Sequence, residues 1–261
     1  MRIALGLEYQ GSAYTGWQSQ RDGRGVQDAL ERALATIADT DVGTIAAGRT
    51  DTGVHATLQI VHFDTDVTRP DTAWSRGVNA NLPQDVAVLW AHPVADGFHA
   101  RRSAMARYYT YVLLQRAVRP ALLAGRAGWY HRPLDVAAMS EAARVLVGTH
   151  DFSAFRAAEC QAKTATRTLA KMEIAASGDI VRFDFCANAF LQHMIRNIVG
   201  ALVYVGAGKH PPSWIGELLA GRDRTRAAPT FAPDGLYFTG ADYHARWDLP
   251  PTRRATFPLY S

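Results

Sequence analysis

A chain of 261 residues can hold one large domain or two modest ones, each with its own core. Its 48% hydrophobic and 20% charged residues are those of an ordinary globular protein, and they exclude disordered, collagenous and fibrous classes. Net charge is only +4, yet with just three lysines (Lys163, Lys171, Lys209) nearly all the positive charge is arginine, whose planar fork suits phosphates and bases.

The chain opens on Ile3, Leu5, Leu7 and Tyr9, whose alternation predicts a strand with one buried face. Gly11 to Gly25 is a polar, glycine-rich loop carrying Arg21 and Arg24. Val26, Ala29, Leu30, Ala33, Leu34 and Ile37 then recur at helical spacing and form one apolar stripe. Strands are predicted over Thr57–Phe63 and Val86–Trp90, with a short helix opened by Pro70-Asp71 between them. The first hundred residues thus read β-α-β-α-β.

In the second half Tyr109, Tyr111 and Leu113 alternate in an aromatic strand. Asp135 is the expected N-cap of a helix through Met139, Ala142, Ala143 and Leu146, closed by Gly148. Leu169–Ile174 and Ile180–Cys186 predict a strand pair around Ser177-Gly178-Asp179. A long apolar helix is predicted from Phe190, and a last strand over Leu236–Phe238. These elements predict an α+β fold of two ferredoxin-like α/β halves, residues 1–100 and 101–261, with helices packed on a largely antiparallel sheet. Gly97–Arg102 joins the halves without a low-complexity linker, so a shared sheet or tight interface is expected, with an active-site cleft between the halves.

Several function classes fall away. The first residues lack the apolar stretch and cleavage site of a signal peptide. The most apolar helix candidate, Phe190 to Gly206, carries Gln192, His193, Arg196 and Asn197, which marks a core helix and not a membrane span. Cys160 and Cys186 make no disulfide framework and no CxxC metal spacing, so two reduced thiols in a cytoplasmic protein are expected. No GxxxxGK[ST] or GxGxxG pattern implies a nucleotide phosphate, and the histidines His55, His62, His92 and His99 form no helical metal pair. No metal is expected. Arginines cluster at Arg101-Arg102 with Arg107, at Arg222, Arg224 and Arg226, and at Arg253-Arg254, which suggests a polyanionic partner.

The most informative stretch is Ala47-Gly48-Arg49-Thr50-Asp51-Thr52-Gly53-Val54-His55-Ala56, a polar loop bracketed by glycines just before a strand. Glycines there permit tight turns and close approach of a ligand. On physical grounds Asp51 can be a turn aspartate bonded to its own backbone or a catalytic carboxylate. Gly48–His55 closely resembles the signature loop of the tRNA pseudouridine synthase A family. So do Tyr9–Gln18, Asn79–Pro83, Phe98–Arg101, Asn188–Asn197 and Gly235–Tyr237, in family order over almost the whole chain. Two departures stand out: Gln10, where the family more often has aspartate, and Gly25, where it has a hydroxyl residue.

The resemblance implies isomerisation of uridine within tRNA, with no cofactor. Asp51 would be the nucleophile, since a carboxylate can attack and then leave. Tyr109 would stack on an extruded uracil, and its hydroxyl could assist loss of the C5 proton. Tyr108 and Tyr111 are its competitors, and strand alternation puts Tyr111 on the same face as Tyr109. Arg196 stands in an apolar helix and would hold the Asp51 carboxylate ionised and aimed. A buried arginine needs a partner, although one can also snorkel to solvent. Arg49 and Arg24 would meet RNA backbone, and His193 would contact RNA or pack. The resemblance further implies the anticodon arm as target, at positions thirty-eight to forty, and a homodimer cradling one tRNA, with no membrane partner. Two other readings compete: an RNA-binding module or tRNA chaperone without catalysis, and a hydrolase using the aspartate. The intact Asp51, Tyr109 and Arg196 argue against the first, and the lack of paired carboxylates or a metal site argues against the second.

Overall fold

The computed structural model describes residues 1–254, and the chain divides into two compact units. One comprises Met1–Arg107 together with the described residues from Tyr237 on, the other Tyr108–Leu236. The sequence alone suggested a boundary near residue 100 and did not anticipate the return of the last strand to the first unit.

In the first unit the elements are β1 (Arg2–Tyr9), α1 (Val26–Ala38), β2 (Thr44–Ala46), β3 (His55–Asp64), α2 (Arg76–Asn81) and β4 (Val86–Val94). Antiparallel pairing runs β4-β1-β3-β2, the split order of a ferredoxin-like β-α-β-β-α-β unit. β10 (Leu236–Asp242) lies parallel to the start of β3, with Tyr237 opposite His55. The three-residue β2 is absent from the sequence reading. β1 also differs from expectation, because it is buried on both faces. Ile3, Leu5 and Leu7 fill one side, while Ala4 is buried on the other and Gly6 lies against the Trp90 ring. A β-carbon at Gly6 would come within 2.3 Å of that ring, so any residue but glycine would displace it.

The predicted stripe of α1 is buried at Val26, Ala29, Leu30, Ala33 and Leu34, while Ile37 is half-buried and faces Gly77 of α2. The helix starts where the Asp28 carboxylate accepts the Gly25 N–H at 2.8 Å and the Ser19 hydroxyl at 2.6 Å. This is the acidic half of a capping box whose N-cap residue lacks a side chain. A β-carbon at Gly25 would stand 2.7 Å from the Gln18 carbonyl oxygen, so a hydroxyl residue would not fit this backbone without a shift.

The second unit holds β5 (Ala106–Gln115, which begins at its border), β6 (Gly128–Tyr130), α3 (Val136–Ala143), β7 (Gly148–Asp151), β8 (Thr166–Ser177), β9 (Ile180–Ala187), α4 (Met194–Gly206) and α5 (Ser213–Gly221). Its strands run β6-β5-β9-β8-β7, with β9 between β5 and β8 in the same split order. Asp135 caps α3 as expected, accepting from the Ala138 N–H at 2.9 Å. Gly148 does not close that helix. The chain leaves α3 through a 3-10 turn at Arg144–Leu146, and Gly148, at φ 117°, opens β7. The β8–β9 hairpin turns at Gly178, φ 56°, where the sequence placed it. α4 begins at Met194 and not at Phe190, because His193 adopts a left-handed φ of 60° that no helix can contain. Arg196 therefore sits in the first turn of α4, not near its middle. No helix among the described residues is long and apolar enough to cross a membrane.

One buried histidine makes the first unit sensitive to acid. His62 is 2% exposed, and its Nδ1 accepts the Ala100 N–H at 3.2 Å, which requires that nitrogen to be unprotonated. Burial above all, then the positive charges of Arg2 and His99, lowers its pKa to about 4 from an ordinary 6.5. The unfolded chain thus takes up this proton near pH 6.5 and the folded protein only near pH 4. Stability is expected to be full above pH 6.5 and to fall progressively as the pH is lowered toward 4. His99, also lowered chiefly by burial, adds in the same direction. Urea midpoints measured across this range should show the decline, and His62→Asn should flatten it. A midpoint independent of pH in the wild-type protein would contradict the assignment.

Candidate active-site loop

The loop joining β2 to β3 is built by backbone contacts on nearly every residue. Asp51 C=O accepts the Val54 N–H at 3.1 Å, and Gly53 at the third position has φ 79°, as a type II turn requires. Asp51 is half-buried at the head of this turn, and Arg49 is exposed. The main chain of Asp51 closes the turn.

The segment after β1 is pressed against the same loop. Trp17 N–H donates to Thr50 C=O at 3.0 Å, and Gly53 N–H donates to Tyr14 C=O at 3.4 Å. Gly11 N–H donates to His55 Nδ1 at 2.9 Å, and the His55 ring stacks on Tyr237 at 4.5 Å. At Gly16, φ is 101° and a β-carbon would lie 2.6 Å from the Thr50 carbonyl oxygen and 3.1 Å from the carbonyl carbon of Asp51. Gly16→Ala must therefore push the backbone at Asp51 out of place as well as strain its own. With Asp51 in the catalytic role that the sequence suggests, the expected result is a loss of about a hundredfold in activity, the cost of a shift of about 1 Å in a reacting group. A steady-state assay on folded Gly16→Ala giving wild-type turnover would refute it.

The arginines divide into two groups. Arg21, Arg24, Arg49, Arg101 and Arg102 are exposed, as nucleic-acid contacts need to be. Arg107 is not part of a surface patch: its Nε and Nη2 donate to Ala47 C=O, each at 3.2 Å, at the root of the loop. Arg224 is likewise turned inward, bonding Ala228 C=O at 2.9 Å and Asn197 Oδ1 at 3.1 Å. Arg254 pairs with Glu8 at 2.5 Å and Arg253 with Asp242 at 3.3 Å. The basic clusters read from the sequence are thus partly internal struts.

In the second unit packing separates two tyrosines that alternation could not. Tyr111 is fully buried, donates its hydroxyl to Ala232 C=O at 2.9 Å and lies edge-on to Phe183 and Phe231. It is a core residue. Tyr109 is 8% exposed and meets Phe190 edge to face at 5.1 Å. Arg196 is half-buried, and its Nε donates to Phe231 C=O at 2.9 Å. His193, half-buried, supplies the left-handed residue before α4, and its C=O accepts the Asn197 N–H at 2.9 Å. Asn197 is fully buried and donates to Phe155 C=O at 2.8 Å, so it serves the core.

Among the described residues no group of histidine, cysteine or acidic side chains could hold a metal ion. Cys160 and Cys186 are buried free thiols. Sequence reasoning missed the supports of the loop, namely Tyr9, Gln59 and Arg107. Alternation placed Tyr9 on a buried face, but nothing in the pattern linked any of the three to residues 47–50.

Comparison with known proteins agrees over nearly the whole chain. A family profile described as tRNA pseudouridine synthase matches residues 7–101 and 142–244. The tRNA pseudouridine synthase A of Chromobacterium violaceum is 60% identical over 251 residues, 96% of either chain. That of Thiobacillus denitrificans is 60% identical over 250 residues, again 96% of either chain. That of Burkholderia mallei is 56% identical over 261 residues, covering all of this chain and 97% of its own.

Proposed function

This chain belongs to the tRNA pseudouridine synthase family and isomerises uridine in tRNA, and from that premise we propose that it acts on the anticodon arm, at positions thirty-eight to forty, with Asp51 as nucleophile. The observation that carries the reading is the intact Gly48–His55 loop, with Asp51 at the head of its turn.

The chemistry needs no added reagent. The N1–C1′ bond breaks, the uracil turns, C5 bonds to C1′, the C5 proton departs and N1 gains one. Atoms and electrons balance within the nucleotide. A carboxylate serves as covalent catalyst because it can attack and then leave, and Asp51 fills that role for attack at the sugar or the base alike. As the base of an elimination from the sugar, it remains the central group. A stacked uridine must be extruded to be reached, at a cost of a few kcal/mol that an aromatic platform offsets.

Tyr109 is the proposed platform. Base–aromatic stacking is worth about 1–3 kcal/mol, so Tyr109→Leu should lower the rate of conversion about tenfold to a hundredfold, while Tyr109→Phe isolates the hydroxyl. Tyr111→Leu should act on stability instead, because Tyr111 is wholly in the core. Single-turnover rates and thermal midpoints for the three variants decide it, and a normal rate in Tyr109→Leu with a dead but stable Tyr111→Leu would reverse the choice.

Arg196 is proposed to act on the Asp51 carboxylate, Arg49 and Arg24 to contact RNA phosphates, and His193 to contact RNA. A homodimer that cradles one tRNA, working in the reducing cytoplasm that suits two unpaired thiols, completes the proposal. The target is tested by carbodiimide mapping of pseudouridine in an isolated anticodon-arm RNA after incubation with the protein. Stops at the three positions support it, and modification confined to another arm would overturn it.

A further inference from the structure

We propose that Tyr9 and Gln59 are positioning residues for Asp51, a buried pair that grips Gly48 and Thr50 from beneath the loop. The inference rests on the reading of Asp51 as nucleophile.

The pair arises from a break in strand register. β1 and β3 match residue for residue from Arg2 opposite Asp64 to Leu7 opposite Gln59, but Tyr9 then stands opposite Ala56. β3 thus carries one residue more than β1 over this stretch. Such a bulge re-aims side chains and sharpens the local twist. Here the Tyr9 hydroxyl meets Thr50 Oγ1 at 2.8 Å, and Gln59 Nε2 donates to Gly48 C=O at 2.7 Å. The gripped residues alternate with Arg49 and Asp51, so the segment is anchored at every second position while Arg49 stays exposed.

Gln59 is fully buried, Tyr9 is 4% exposed and Thr50 is 7% exposed. Bonds formed so far from water are costly to break one-sidedly, since the abandoned partner stays desolvated. The Gln59 amide also bears on the Tyr9 hydroxyl, although its Oε1 makes no regular hydrogen bond. Burial pushes the Tyr9 hydroxyl up to about 12, against smaller opposing effects of Thr50 and Gln59. Tyr9 therefore remains a neutral hydroxyl near neutral pH, suited to holding a loop and unsuited to proton transfer. Both side chains act through Gly48 and Thr50.

The test is single-turnover conversion at saturating enzyme, expressed per folded protein, beside tRNA affinity by filter binding. Gln59→Leu should slow conversion about tenfold to a hundredfold, and Tyr9→Phe should slow it less, with affinity in both within about threefold of the parent. Thr50→Ser, which keeps the hydroxyl, should recover most of the rate that Thr50→Val loses. Should Gln59→Leu fail to fold, Tyr9→Phe, smaller by one oxygen, decides alone. Rates per folded enzyme within threefold of wild type in these variants, with Asp51→Ala inactive, would overturn the latch and leave the nucleophile standing. An active Asp51→Ala would instead remove the reading on which the latch depends.

Discussion

Asp51→Ala is expected to reduce pseudouridine formation by about a thousandfold or more, the scale on which loss of a nucleophile acts, while tRNA affinity stays within about threefold. The two effects separate because they have different sources. Affinity for a nucleic acid comes mainly from cations that neutralise phosphates, and the exposed Arg21, Arg24, Arg49, Arg101 and Arg102 are untouched by this change. The fold should be untouched as well. The turn at residues 51–54 is closed by the Asp51 carbonyl and by Gly53, and both survive in the variant. Asp51→Asn, which preserves shape and polarity but is a poor nucleophile, should be as inactive. Circular dichroism, filter binding and single-turnover conversion on the same preparations would show a folded, binding, inert protein. Conversion at a rate comparable to wild type would end the assignment.

The second large effect is expected at Arg196. Its place in the first turn of α4 is unfavourable for a cation, because the partial positive charge of the helix N-terminus opposes it. It is also half-buried in a mostly apolar helix. The proposed role of this residue is to act on the Asp51 carboxylate. Arg196→Met should fold and bind tRNA yet lose at least about a hundredfold in the chemical step, as removal of one preorganised electrostatic partner does. Arg196→Lys should recover only part, since lysine keeps the charge but not the planar fork. The bond from Arg196 Nε to Phe231 C=O supplies the control. If that bond were the residue's whole purpose, Arg196→Met would lower the thermal midpoint and leave the rate per folded enzyme unchanged.

Much of the architecture was legible because it is local. The extent of β1, the stripe of α1 and the Gly178 hairpin follow from side-chain period and turn chemistry, and each lies where the residues place it. What escaped depends on tertiary context. β2 and β6 have three residues each, too few for a period to show, and exist because β3 and β5 offer them an edge. The start of α4 is set by one left-handed residue, His193, whose conformation no periodicity reveals. Both faces of β1 are covered because Gly6 admits Trp90, a fact about a partner eighty-four residues away. The candidate site shows the same division. Its signature residues could be read from the chain, but Tyr109 and Tyr111 share a strand face and only packing sets them apart. Arg107 looked like a surface cation beside Arg101 and Arg102, yet its guanidinium is committed to Ala47 C=O.

The central claim, that this chain rearranges uridine in place through Asp51, is tested most directly with tRNA carrying tritium at C5 of its uridines. Mixed with excess protein and no cofactor, the wild type should release tritium to water in step with pseudouridine formed, one for one, and Asp51→Ala should release none. No release from wild-type protein on a tRNA bearing anticodon-arm uridines, or release from Asp51→Ala at the wild-type rate, would contradict it.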